Sequence, residues 1–66
     1  MKRMIFEFWD EHLITSVIAA DILSAVTKAM LEADALCDRP LENPQDRRNR
    51  IHRASLRGTV VVKTLD

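Results

Sequence analysis

From residue 10 onward the apolar positions recur at helical spacing. Leu13 is followed by Val17, Ile14 by Ile18 and Ile22, and then Val26, Ala29, Met30, Ala33 and Leu36 carry the pattern on. Residues 1–39 hold neither Gly nor Pro, so nothing punctuates this run. Asp10 suits a helix N-cap and Glu11 the first turn. The spacing predicts one long helix over 11–37, about 40 Å at 1.5 Å per residue.

Upstream, Met4, Phe6 and Phe8 alternate with Arg3, Ile5 and Glu7, the period of a strand. Met4, Ile5, Phe8, Trp9, His12 and Leu13 also repeat at i and i+4, the period of a helix. Residues 3–9 are therefore extended or helical, with the aromatic content leaning towards extended. A loop over 38–43 leads to the clearest local signal. Asn43 is a strong N-cap, Pro44 is pre-set for the first helical position, and Asp46 at the third completes a variant of the capping box. Gly58 stands where a left-handed C-terminal residue belongs. A second helix is predicted over 44–57, and the β-branched run that follows predicts a strand over 59–65. A lone strand is unstable in water, so this one has to pair with residues 3–8 or with its counterpart in a second chain.

The expected fold is one small domain, 1–66, mainly α. A long helix and a short antiparallel one form a helical hairpin, with extended ends that pair as β in an α+β alternative. The second helix, about 21 Å long, reaches back only to about Leu23 and leaves the front of the long helix bare. Each large aliphatic left in water forgoes ~1.5–3 kcal/mol. A homodimer through the upstream half of the long helix is the expected remedy. The row Ile18, Ile22, Ala25, Ala29 and Ala33, large first and small later, suits antiparallel self-packing.

Composition adds constraints. With 66 residues, only about 60% of the unfolded chain's surface can be buried, so a monomeric core is marginal. The formal net charge of zero hides an asymmetry: residues 1–38 set three basic against seven acidic side chains, and residues 39–66 reverse the ratio. Folding back, or pairing with another copy, neutralises both halves. A single cysteine excludes an intramolecular disulfide and leaves the cytoplasm as the default location. The longest apolar stretch, Leu13 to Val26, is interrupted by Asp21 and falls short of the ~20 residues a membrane span needs. Glu7, Asp10 and Glu11 lie where a signal peptide keeps its apolar region. No membrane association is expected.

The strong metal-ligand types, His12, Cys37 and His52, share no ligand spacing, so no metal and no cofactor is expected. Cys37 with His52 would make a poor nucleophile and base, because Asp34, Asp38 and a helix C-terminus raise a thiol pKa. A lone glycine rules out a Gly-rich phosphate loop, and no enzyme is expected. Asp21, flanked by Ala19, Ala20, Ile22 and Leu23, faces solvent or reaches an arginine of the second helix. Arg50, Arg53 and Arg57 share one helical face, which Arg47 borders, while Arg48 lies elsewhere. That basic face suits an acidic protein surface or, as the alternative, nucleic-acid phosphates. Neutral net charge, few lysines and no interleaved aromatics weigh against the alternative. Phe6, Phe8, Trp9, Leu13 and Val17 are the expected apolar contacts. The expected function is a non-enzymatic protein that binds and modulates another protein, as a homodimer, with the economy of small bacterial or phage accessory proteins. A nucleic-acid-binding regulator is the rival.

Overall fold

A computed structural model describes residues 2–32, 39 and 41–65. The elements in order are β1 (Met4–Trp9), β2 (Leu13–Ala19), α1 (Ile22–Glu32), α2 (Pro44–Arg57) and β3 (Val60–Thr64). The three strands form one antiparallel sheet in the order β2-β1-β3. The fold is therefore α+β, and the expectation of a mainly α helical hairpin is corrected. Residues 13–19 of the expected long helix are a strand, and α1 starts only at Ile22. The uncovered helical front on which the helix-mediated dimer rested does not exist. The large-to-small row is split between β2, which carries Ile18, and α1, where Ala25 and Ala29 are fully buried. Cys37, with the acidic neighbours Asp34 and Asp38, lies outside the described residues.

The hairpin between β1 and β2 turns at Asp10–His12. The Asp10 carboxylate accepts the His12 backbone N–H at 3.0 Å, and the Asp10 N–H donates to the His12 carbonyl at 3.1 Å. An aspartate that suits a helix N-cap suits this turn for the same reason, since its short side chain satisfies an amide two residues on. The residue that does cap α1 is Asp21, whose Oδ1 accepts the Ser24 N–H at 2.8 Å while its carbonyl accepts from Ala25. Hydrogen bonds from the Ser24 amide and hydroxyl, with the Leu23 amide, hold the Asp21 carboxyl below the usual carboxylate range. Of the two expectations the solvent-facing one holds, since Asp21 is exposed, and its role is that of a cap.

The sheet has one covered face. Phe6 and Phe8 pair across β1–β2 with Val17 and Thr15 and across β1–β3 with Val62 and Val60, all on the side that carries the helices. The core joins Phe6, Phe8, Ile14, Val17 and Ala19 of the sheet to Ala25 and Ala29 of α1 and Ile51 and Ala54 of α2. The pairing shifts register between Phe8 and Trp9, leaving Ile14 as the extra residue of a bulge. Ile14 and Thr15 are consequently both buried although adjacent. α2 is capped by Asn43, whose side chain accepts the Gln45 N–H at 2.7 Å, and ends at Gly58 with φ +73°. From there the chain turns directly into β3.

Candidate functional site: an arginine network and a cleft beside Trp9

The inward stripe of α2 is Arg47, Arg50, Ile51 and Ala54, at i, i+3, i+4 and i+7. Two of its four members are arginines, and they are among the most buried side chains of the protein: Arg47 is 1% exposed and Arg50 5%. Charges withdrawn this far from water persist only with partners. Arg50 donates from NH1 to Glu42 Oε1 at 2.6 Å and from Nε to Asp10 Oδ2 at 2.9 Å. Arg47 NH2 lies 3.3 Å from the same Glu42 oxygen and donates to the Arg39 carbonyl at 3.0 Å. Arg39 adds a longer contact to Asp10, at 3.8 Å. One carboxylate before α2 thus serves two buried guanidinium groups, and Arg50 ties the helix to the β1–β2 turn.

Asp10 is the outer end of the network. Its carboxyl is lowered from 3.8 to about 2, first by the Arg50 hydrogen bond, against partial burial, then by the His12 amide and the charges of Arg50 and Arg39. A carboxyl whose folded pKa lies below its unfolded one stabilises the fold fully above the unfolded value, and the contribution disappears as pH falls through about 2. The side chain is about one-third exposed, so solvent screening trims the contribution to about 1–2 kcal/mol. Urea midpoints for the protein and for Asp10→Asn are expected to differ at about pH 5 and to converge towards pH 2. A gap of constant size across that range would show that the ion pair is not its source.

Beyond this network opens a cleft of about 490 Å³ at the β1–β2 turn end of the sheet, between that turn and the outer flank of α2. Trp9, Asp10 and Glu11 form its sheet side, and Arg50, Arg53, Ala54 and Arg57 its helix side, with Arg39 and Thr59 completing the lining. Trp9 is 36% exposed, and its indole N–H donates to Glu7 Oε1 at 3.3 Å. Arg53 and Arg57 are exposed, one turn apart, and pair with no carboxylate among the described residues. The cleft is therefore bordered by Trp9 and carries two solvated guanidinium groups beside two that contact Asp10.

The expected site residues fall into different places. Phe6, Phe8 and Val17 are buried in the core, whereas Trp9 and Leu13 are half-exposed on or beside the bare face of the sheet. Of the basic face, Arg47 and Arg50 point inward and Arg53 and Arg57 outward. Glu42 and Asp10, which organise the arginines, were missed. A signal for Glu42 was present: it lies five residues before Arg47 and eight before Arg50, in the segment that must pass the first turn of α2. Among the described residues no cluster of His, Cys, Asp or Glu is placed to hold a metal ion, and no helix is long and apolar enough to cross a membrane. Compared with known protein families, with curated proteins and with solved structures, the chain matches none.

Proposed function

We propose that this chain is a small, non-enzymatic binding protein whose cleft takes an acidic segment of another protein and so modulates that partner, in the cytoplasm. The observation that carries the proposal is the cleft that Trp9, Arg53 and Arg57 line together. An exposed indole with unengaged guanidinium groups matches the residue types that dominate protein contacts. A carboxylate entering the cleft would find planar, bidentate donors and an apolar ring together. The lining supports binding over bond-making: its titratable acids are Asp10, held ionised by Arg50, and Glu11, and no His, Cys, Ser or Lys joins them among the described residues.

The nucleic-acid alternative is weakened by the fate of the arginines. A phosphate backbone rewards a row of free cations, and half of the expected row is consumed inside the protein. Trp9 is the chain's sole tryptophan, so its fluorescence reports occupancy of the cleft directly. Titration with a Glu/Asp-rich peptide is expected to shift the emission, and Arg53→Glu with Arg57→Glu to weaken binding at least tenfold. If a single- or double-stranded oligonucleotide shifts the emission with a steep salt dependence while the peptide does nothing, the protein-binding proposal falls.

A further inference from the structure

The two edges of the sheet differ. In an antiparallel pair the backbone groups of alternate residues point towards the partner and those between point away. The Trp9 N–H donates to the Thr59 carbonyl at 3.1 Å. With the β1–β3 register this makes Glu7–Val61 and Ile5–Lys63 the remaining hydrogen-bonded pairs. The N–H and C=O groups of Val60, Val62 and Thr64 therefore point outward. The same alternation carried across β1 turns Ile18 of β2 outward, and the Lys28 ammonium indeed donates to the Ile18 carbonyl at 2.6 Å. The β2 edge is thus interrupted by a lysine at Ile18 and a bulge at Ile14, both devices that discourage a further strand. The β3 edge carries no bulge and no proline, and its outward groups have no partner among the described residues. Val62 lies on the helix-bearing face and is nevertheless 51% exposed, because the helices lie over β1 and β2.

We infer that β3 is a self-association edge, pairing antiparallel with β3 of a second copy to make one continuous six-stranded sheet with all helices on one face. A two-fold axis perpendicular to the sheet requires residues on the same face to oppose each other. Centring the axis on Val62 pairs Val62 with the partner's Val62, Val60 with the partner's Thr64 and Thr64 with the partner's Val60. Every outward amide and carbonyl is then used. Lys63 falls opposite the partner's Val61. Centring on Lys63 instead would oppose like charges, and centring on Val61 would leave Thr64 against the partner's Gly58, beyond the strand. The best register is thus one that a second copy supplies without adjustment. A five-residue strand pair buries less than a standard interface, so the dimer is expected to be reversible, with Kd in the micromolar range, on the order of 1–100 μM. The inference is independent of the cleft.

Sedimentation equilibrium over about 1–500 μM, a range that brackets such a Kd, is expected to show the mass rising from 7.6 kDa towards twice that value. Val62→Pro removes an outward donor that the β1–β3 ladder does not use, and Val62→Lys sets like charges against each other across the axis. Each is expected to weaken the dimer at least tenfold while keeping the circular dichroism of the parent. In a mixed-label sample, an intermolecular NOE between the α-protons of Val61 and the partner's Lys63 is expected. A wild-type chain that stays monomeric throughout, including one that instead takes up an added strand-forming peptide, overturns the inference. So does retention of the dimer by both variants.

Discussion

Replacing Glu42 by Ala is expected to destabilise the protein by about 3–5 kcal/mol, the cost of stranding buried charge. The residue itself is a partly buried acid in a connecting segment, where substitutions are usually mild. Its effect comes from what it leaves behind. Without it Arg47 and Arg50, at 1% and 5% exposure, each lose the Glu42 carboxylate; of the contacts described above Arg50 retains Asp10, itself about one-third exposed, and Arg47 the Arg39 carbonyl. A domain of this size has a total stability of roughly 3–10 kcal/mol, so much of the population is expected to unfold. Urea denaturation checks the loss, and two further readings identify its cause. Adding Arg47→Met to Glu42→Ala removes the more deeply buried of the two guanidinium groups and is expected to recover more than half of the stability, a non-additivity of neighbours. Raising salt to about 1 M is expected to change the loss little, because pairs withdrawn from solvent are weakly screened. A cost below about 1 kcal/mol, abolished by salt, would mean that the network behaves as an exposed pair.

The same network shows which parts of this protein can be read from its residues. α2 is legible at both ends because caps are local: Asn43, Pro44 and Gly58 act on amides and carbonyls within a turn of themselves. The terminal strands are half legible: the β-branched run after Gly58 needs a sheet partner, whereas residues 3–9 repeat at both the strand and the helix period. β2 is obscured by the bulge. With Ile14 and Thr15 both turned inward, strict alternation fails at the start of the strand, and Leu13/Val17 with Ile14/Ile18 mimics a helical repeat. The β-branched residues Ile14, Thr15, Val17 and Ile18 were the contrary signal. Asp10 concealed the turn, since its side chain serves a hairpin as well as a helix start, and no glycine marks the corner. The arginines are obscured for a different reason. Extending the Ile51–Ala54 row back by one turn lands on Arg47 and Arg50, so the inward stripe was visible in outline. Which of two polar rows a helix buries is decided by distant acids, and Asp10 lies forty residues from Arg50.

Phe8→Ala is expected to cost about 3–5 kcal/mol, the range for emptying a fully buried aromatic site, and to leave little folded protein at 25 °C. Phe8 is 0% exposed and sits on the middle strand of a three-stranded sheet. Its cross-strand neighbours Thr15 and Val60 lie on different strands, so a cavity there loosens both edges at once. Neither edge strand can collapse into it freely, since β2 is held by its bulge and β3 by the turn out of Gly58. Ile18→Ala on the bare face of the same sheet removes a large aliphatic that is already 40% exposed, and is expected to cost under about 1.5 kcal/mol. Ile14→Ala, four residues away but buried, is expected to fall with the core, at about 2–5 kcal/mol. In a helix, Ile14 and Ile18 share a face and would respond alike; in a bulged strand they part company. Thermal unfolding followed by far-ultraviolet circular dichroism measures all three variants on one scale. Equal costs at Ile14 and Ile18, with Phe8→Ala tolerated, would contradict the one-sided sheet. A Phe8 site that stays folded when emptied would also mean that the core does not hinge on β1, because no other side chain of the central strand is so completely withdrawn from water.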